Sequence, residues 1–217
     1  MTEGLRERKK RRTRQRLSEV ATALFVERGF DNVTIAEVAE AAEVSVNTVY
    51  NYFATKEDLV LPPDAALARR LADIVRHRPP GVSAARAVLA HLRDEVRRRD
   101  PRIGLTEGFG RFFEMMRAAP TLTARLNDLG REMTAALAAT LAEEAGTAPD
   151  APLPRLVAWQ IGNVHALVYT EIGRRVTAGE SPDVIAAALL ELLDMVEDLL
   201  GERVLDYAVR PRDAVSD

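Results

Sequence analysis

Leu17, Val20, Ala21, Leu24 and Phe25 recur at intervals of three and four, and this helical stripe constrains the fold more than any other feature of the chain. The same period returns in segment after segment, and each segment is closed by a breaker. Gly29 ends the first helix, with Phe30 placed for the apolar contact of a C-terminal cap. Thr34-x-x-Glu37 forms a capping box for a short second helix over Ile35, Val38 and Ala39. Ser45 is an N-cap for a third helix through Phe53, and Thr55-x-x-Asp58 is a second capping box opening a fourth. Pro62-Pro63 then interrupts the pattern. Helices are predicted at about 64–77, 83–99, 102–117, 121–145, 154–178 and 182–201, the last entered through Ser181 and Pro182. Hairpin turns between alternating β-branched runs are missing from the sequence, so the predicted class is all-α.

Composition narrows the function. No cysteine occurs, which removes disulfides, thiolate catalysis and cysteine-ligated zinc and suits a reducing cytoplasm. Apolar runs are interrupted by charge, so no membrane span is predicted, and the basic N-terminal stretch lacks the apolar run of a secretory signal. Residues 1–16 hold eight Arg or Lys against Glu3 and Glu7, while the whole chain is at −3. A basic segment on an acidic body points to a local polyanion site or to a solvated tail. No phosphate-binding loop, nucleophile elbow, zinc-protease or dinucleotide motif is found, so no enzyme, metal or cofactor is expected. His77, His91 and His165 stand far apart in sequence.

The segment SVNTVYNYF, 45–53, is unusual for a helix in either a core or an ordinary surface. Val49 and Phe53 are four apart and can face inward, which leaves Asn47, Tyr50 and Asn51 outward with Thr48 and Tyr52 beside them. Two short helices joined by about three residues describe a helix-turn-helix, whose second helix enters the major groove. Hydroxyls and amides there bond phosphates without the desolvation penalty of a charge. Asn can also read adenine, and a Val or Thr methyl can meet a thymine methyl.

Thr34-Ile35, Val38-Ala39, Val44-Ser45, Thr48-Val49-Tyr50-x-Tyr52-Phe53 and Lys56-Glu57-x-Leu59, with Phe25, Gly29 and Phe30 before them, resemble the DNA-binding domain of TetR-type transcriptional regulators over residues 14–60. The rest of the chain matches that family in helical layout alone. The resemblance implies phosphate contacts from Thr34, Tyr50, Tyr52 and Lys56, and base contacts from Val46, Asn47 and Thr48 with Tyr50. Asn51 lies on the same outward face, and Ser45 caps the helix within reach of a phosphate. Glu43 stands where the family usually has Gly, which implies backbone strain if its φ is positive. Asn47 replaces a frequent Gly and is a candidate for setting the operator sequence.

The implied organisation is a basic flexible arm at 1–12, a helix-turn-helix domain at 13–60, a helical ligand-binding and dimerisation domain at 61–203, and a loosely ordered tail at 204–217. The helices at 154–178 and 182–201 are expected to form a homodimer interface. Candidate effector contacts are Phe109, Phe112, Phe113 and Met116, with Trp159, Asn163, His165 and Tyr169 along the next-to-last helix. The expected function is a ligand-responsive cytoplasmic regulator, a repressor, that binds a pseudo-palindromic operator as a homodimer and is released by a small apolar or amphipathic effector. A helical interaction module or ligand-binding protein that does not bind DNA is the alternative.

Overall fold

A computed structural model of the chain describes residues 5–106 and 108–211. Every regular element among the described residues is helical. In order these are α1 (Leu5–Arg28), α2 (Ile35–Ala41), α3 (Val46–Tyr52), α4 (Ala65–Ala68), α5 (Arg70–Arg76), α6 (Ala84–Arg98), α7 (Phe109–Ala118), α8 (Pro120–Glu144), α9 (Pro152–Thr177), α10 (Pro182–Leu199) and α11 (Glu202–Leu205), with 3-10 turns at Glu57–Leu59 and Pro101–Ile103. Among the described residues no helix is long and apolar enough to cross a membrane.

The chain forms two compact units. One comprises the segment up to Pro63 together with Arg111–Asn127; the other comprises Asp64–Gly110 and everything from Asp128 onward. The first unit is built on the stripe read from the sequence. Leu17, Ala21 and Phe25 of α1 bury against Val38 and Ala39 of α2, Val49 of α3, and Phe53 and Leu59 beyond it. Phe25 and Phe30 meet edge to face, with ring centroids 4.9 Å apart, which fixes the turn after α1.

Three expectations are amended here. First, the segment expected to be a flexible arm is helical from Leu5, because its Arg, Lys and Gln residues are good helix formers and nothing interrupts them; residues 1–4 lie outside the described residues. Second, the Thr55–Asp58 capping box exists, with the Asp58 amide donating to Thr55 Oγ1 at 3.2 Å and the Thr55 amide to Asp58 Oδ2 at 3.1 Å. It opens a single 3-10 turn, not a fourth full helix, because Pro62 and Pro63 supply no amide protons and disfavour helical backbone just before them. Third, the segment 111–127 belongs to the first unit. Met115, Met116, Ala119 and Leu122 are buried in the same core as Phe25 and Leu59.

The second unit packs α5, α6, α8, α9 and α10 around Leu71, Val88, Leu137, Ile161, Ile172 and Leu189. Ser181 caps α10, as its position before Pro182 predicts, and the structure adds Ser83 as the cap of α6. Part of the segment expected to be a loose tail is tied down: the Arg210 amide donates to Val82 O at 3.0 Å, and the Gly81 amide to Arg210 O at 2.8 Å. The buried Arg78 guanidinium donates to Glu144 and to the Ala208 carbonyl. Residues 212–217 lie outside the described residues.

Candidate nucleic-acid interface and buried polar cluster

Two caps and a turn set the geometry of α2 and α3. The Glu37 amide donates to Thr34 Oγ1 at 3.2 Å, and the Thr34 amide donates back to Glu37 Oε2 at 2.7 Å. The Thr34 amide, and the Thr34 hydroxyl that donates to the same oxygen at 2.8 Å, hold the Glu37 carboxyl below the usual carboxylate range, with lesser help from the charge of Arg28. The Val44 amide closes the turn onto Ala39 O at 2.9 Å, and Glu43 within it takes the left-handed conformation at φ 55°. Ser45 then caps α3: the Thr48 amide donates to Ser45 Oγ at 3.1 Å.

With its start fixed, α3 can face only one way. Val49 and Phe53 are buried, while Val46 and Tyr50 are 41% and 54% exposed, and Asn47 and Asn51 are exposed beside them. Thr48 is half-buried and shares a hydrogen bond with Ser45 Oγ at 2.8 Å. Tyr52 packs its ring against the core of the unit. The outward face of α3 is therefore uncharged and rich in amide and hydroxyl groups, with one valine methyl pair.

Lys56 is placed differently from the rest. Its ammonium donates to the Phe30 carbonyl and stands 4.4 Å and 5.3 Å from the centroids of the Phe30 and Phe25 rings. An ammonium has three donors, so one framework bond still leaves capacity for a phosphate oxygen. Along α1, Arg6, Arg8, Lys9, Lys10, Arg11 and Arg12 are exposed.

The structure does not bring the eight candidate effector contacts together in one unit. Phe112, Phe113 and Met116 lie in the first unit, where Met116 is core and Phe112 packs against that core; Phe112 and Phe113 meet edge to face at 6.4 Å. Phe109, Trp159, Asn163, His165 and Tyr169 lie in the second. There α9 divides them. Trp159 is 60% exposed and Asn163 is exposed, on a face shared with the exposed Leu153, Leu156 and Leu167. His165 and Tyr169 turn inward and stack, ring centroids 4.5 Å apart and 28° from parallel.

Around that stack lies a cluster the sequence did not disclose. Glu95 of α6 is 4% exposed and accepts from Arg70 of α5, with His91 Nε2 3.5 Å from the same carboxylate oxygen, Oε1. His91 and Glu95 stand four apart on one helix, which was the only signal of their pairing in the sequence. Burial pushes the Glu95 carboxyl up, but the bond to His91 and the charge of Arg70 outweigh it, so its pKa falls below the ordinary value and it is ionised. Burial pushes the His165 imidazole down to about 4 and the Tyr169 phenol up to about 12, so both are neutral at physiological pH. Two side-chain atoms of this cluster are buried without a partner, Glu95 Oε2 and His165 Nε2. Among the described residues no group of three or more His, Asp or Glu is placed to hold a metal ion.

A family profile described as "Bacterial regulatory proteins, tetR family" matches residues 17–61, the segment that forms the core, turn and outward face above. The regulator TcmR of Streptomyces glaucescens is 39% identical over 98 residues, 42% of this chain and 43% of TcmR. The repressor KstR of Rhodococcus jostii is 30% identical over 148 residues, 66% of each chain. The matched stretch thus spans less than half the length of TcmR. The solved structure of NalD, a secondary repressor of a multidrug efflux pump in Pseudomonas aeruginosa, shares the fold at a TM-score of 0.55 and 19% identity, over 86% of this chain and 97% of that one. The helix-turn-helix of residues 34–53, the profile that covers it and the relatives that share it agree: the chain belongs to the TetR family of transcriptional regulators.

Proposed function

We propose that this regulator binds a pseudo-palindromic operator as a homodimer, inserts α3 into the major groove, and is released from DNA by a small molecule held in the second unit. The observation that carries the reading is the face of α3, where Val46, Asn47, Tyr50 and Asn51 stand exposed while Val49 and Phe53 anchor the helix. An uncharged face of amides, a phenol and methyls suits base edges and phosphates, and would serve poorly as a solvated surface. The basic flank of α1 supports it by supplying the sequence-independent part of the affinity. Acting on DNA places the protein in the cytoplasm.

Dimerisation is supported by the apolar residues that the second unit leaves uncovered. Leu153, Leu156, Trp159 and Leu167 share one face of α9, and Val184, Met195 and Leu199 share one face of α10. A pair of such helices from each of two chains makes a four-helix interface with two-fold symmetry, which in turn calls for a two-fold operator. Repression is the favoured direction because KstR, matched over 148 residues, is named a repressor.

The test is fluorescence anisotropy of the full chain on duplex DNA from upstream of its own gene, beside a scrambled duplex and a salt series. Sequence-dependent binding with two chains per site is the expected result. Absence of binding to any duplex at low salt would overturn the reading and leave a helical module that does not bind DNA.

A further inference from the structure

The buried polar cluster of the second unit says more about the effector than its size or apolarity. Nearly all buried polar atoms in folded proteins have a hydrogen-bond partner in the protein, in ordered water or in a ligand, so two atoms of one cluster with no protein partner mark a place where a polar ligand can dock. Glu95 Oε2 is one, on α6; His165 Nε2 is the other, on α9. Both helices pack together in the same unit.

The chemistry of the occupant follows from the groups present. A carboxylate only accepts hydrogen bonds, and Glu95 already gives Oε1 to Arg70 and His91, so whatever meets Oε2 must donate. A neutral imidazole nitrogen accepts or donates according to its tautomer, and a hydroxyl can answer either way. An anionic ligand would meet the Glu95 carboxylate, while the Arg70 charge that would offset it is already engaged. A cationic one would find Glu95 already paired with Arg70 and Asp100 with Arg102, so no uncompensated negative charge is left to balance it. The His165–Tyr169 stack adds a flat aromatic surface to the cluster.

We infer that the effector is a neutral, planar molecule carrying a hydroxyl or comparable donor, and that Glu95 and His165 are the residues that select for that donor. The inference rests on the proposal that the second unit holds an effector, and it specifies which chemistry that site accepts.

Four matched probes test it on the full-length protein by isothermal titration: 2-naphthol, 2-methoxynaphthalene, 2-naphthoate and naphthalene. They share a ring system and differ in donor, acceptor and charge. The expected result is that 2-naphthol binds about tenfold tighter, or more, than each of the other three. In Glu95→Gln and in His165→Phe that preference shrinks to about twofold, with the helical circular-dichroism signal retained. The two variants are independent, so misfolding of one leaves the other to decide, and the wild-type series stands without either. Equal affinity for 2-naphthol and its methyl ether, preference for the naphthoate, or no binding by any of the four would each overturn the inference, the last meaning that water alone satisfies the orphan atoms. Release of operator DNA is scored separately. A probe that binds with the expected preference but leaves the DNA complex intact counts against the effector reading and in favour of the donor site.

Discussion

The ammonium of Lys56 stands 4.4 Å from the centroid of the Phe30 ring and donates to the carbonyl oxygen of that same residue. A side chain whose position suggests a phosphate contact is thus also a clamp between the end of the DNA-binding unit and the turn after α1. Lys56→Ala is expected to destabilise the chain by ~1–2 kcal/mol, from the lost cation–π contact and the unpaired carbonyl. It should also weaken binding equally on all sequences. Urea denaturation and anisotropy on two duplexes check both parts; unchanged stability would leave Lys56 as a phosphate contact alone.

Glu43 holds φ at 55° in the turn between α2 and α3. Left-handed backbone costs a side-chain-bearing residue ~1–2 kcal/mol, and glycine escapes it at the expense of extra freedom in the unfolded chain. Glu43→Gly should therefore raise stability by up to about 1 kcal/mol, because the pair with Arg16 at 3.8 Å is exposed and contributes little. If α3 docks on DNA as proposed, removing a carboxylate beside it should also tighten operator binding most at low salt. A loss of stability in urea would mean that the turn depends on the Glu43 side chain.

These two residues mark how far the sequence could be read. The strain at Glu43 was foreseeable because a turn is local, and the same holds for the caps at Thr34, Ser45 and Ser181. The outward face of α3 followed from the four-residue spacing of Val49 and Phe53. Lys56 and Phe30 are 26 positions apart, and Arg70 and Glu95 are 25 apart; no period links such pairs, so their contacts emerge only from tertiary packing. Met115 and Met116 failed to announce their place for the same reason. An apolar run with two phenylalanines reads alike whether it lines a pocket or completes another unit's core, and here it completes the core around Phe25 and Leu59.

Gly110 sits where α7 begins, and a Cβ there would stand 2.9 Å from the Val176 carbonyl oxygen of α9. The obstacle is backbone, which cannot swing aside as a side-chain tip would. Gly110→Ala should destabilise the second unit by ~1–3 kcal/mol through this overpacking. Gly130→Ala, whose Cβ would meet nothing within 4 Å, is the control and should be neutral or stabilising. Equal thermal midpoints for the two variants would contradict the close approach of Gly110 to the Val176 carbonyl.

Asn47 is exposed on α3 and carries both a donor and an acceptor for base edges. Asn47→Ala should relax preference at one base pair in each half-site by ~1–3 kcal/mol while leaving affinity for other sequences nearly unchanged. Binding to a set of operators randomised at single positions measures this directly. A uniform loss across the set would make Asn47 a backbone contact.

His165 gives the chain a signature in acid. Its folded-state pKa of about 4 lies below the ordinary value of 6.5, so below pH 6.5 the unfolded chain takes up a proton that the folded chain refuses. Its contribution to instability is nil above 6.5, grows as pH falls, and levels off below about 4. Between pH 6.5 and 4.5 stability should drop by ~2 kcal/mol on this account. The carboxylates behave in the opposite sense and lower down: Glu171 and Asp100 are held at about 2 by hydrogen bonds from Arg174 and Arg102, so their stabilisation is lost only as pH falls below their ordinary values of 4.5 and 3.8. His165→Phe should therefore flatten the pH profile between 6.5 and 4.5 and leave the steeper fall below it in place. Urea midpoints at pH 7, 6, 5 and 4 for both proteins distinguish the cases, and parallel profiles would show that His165 is protonated in the folded chain.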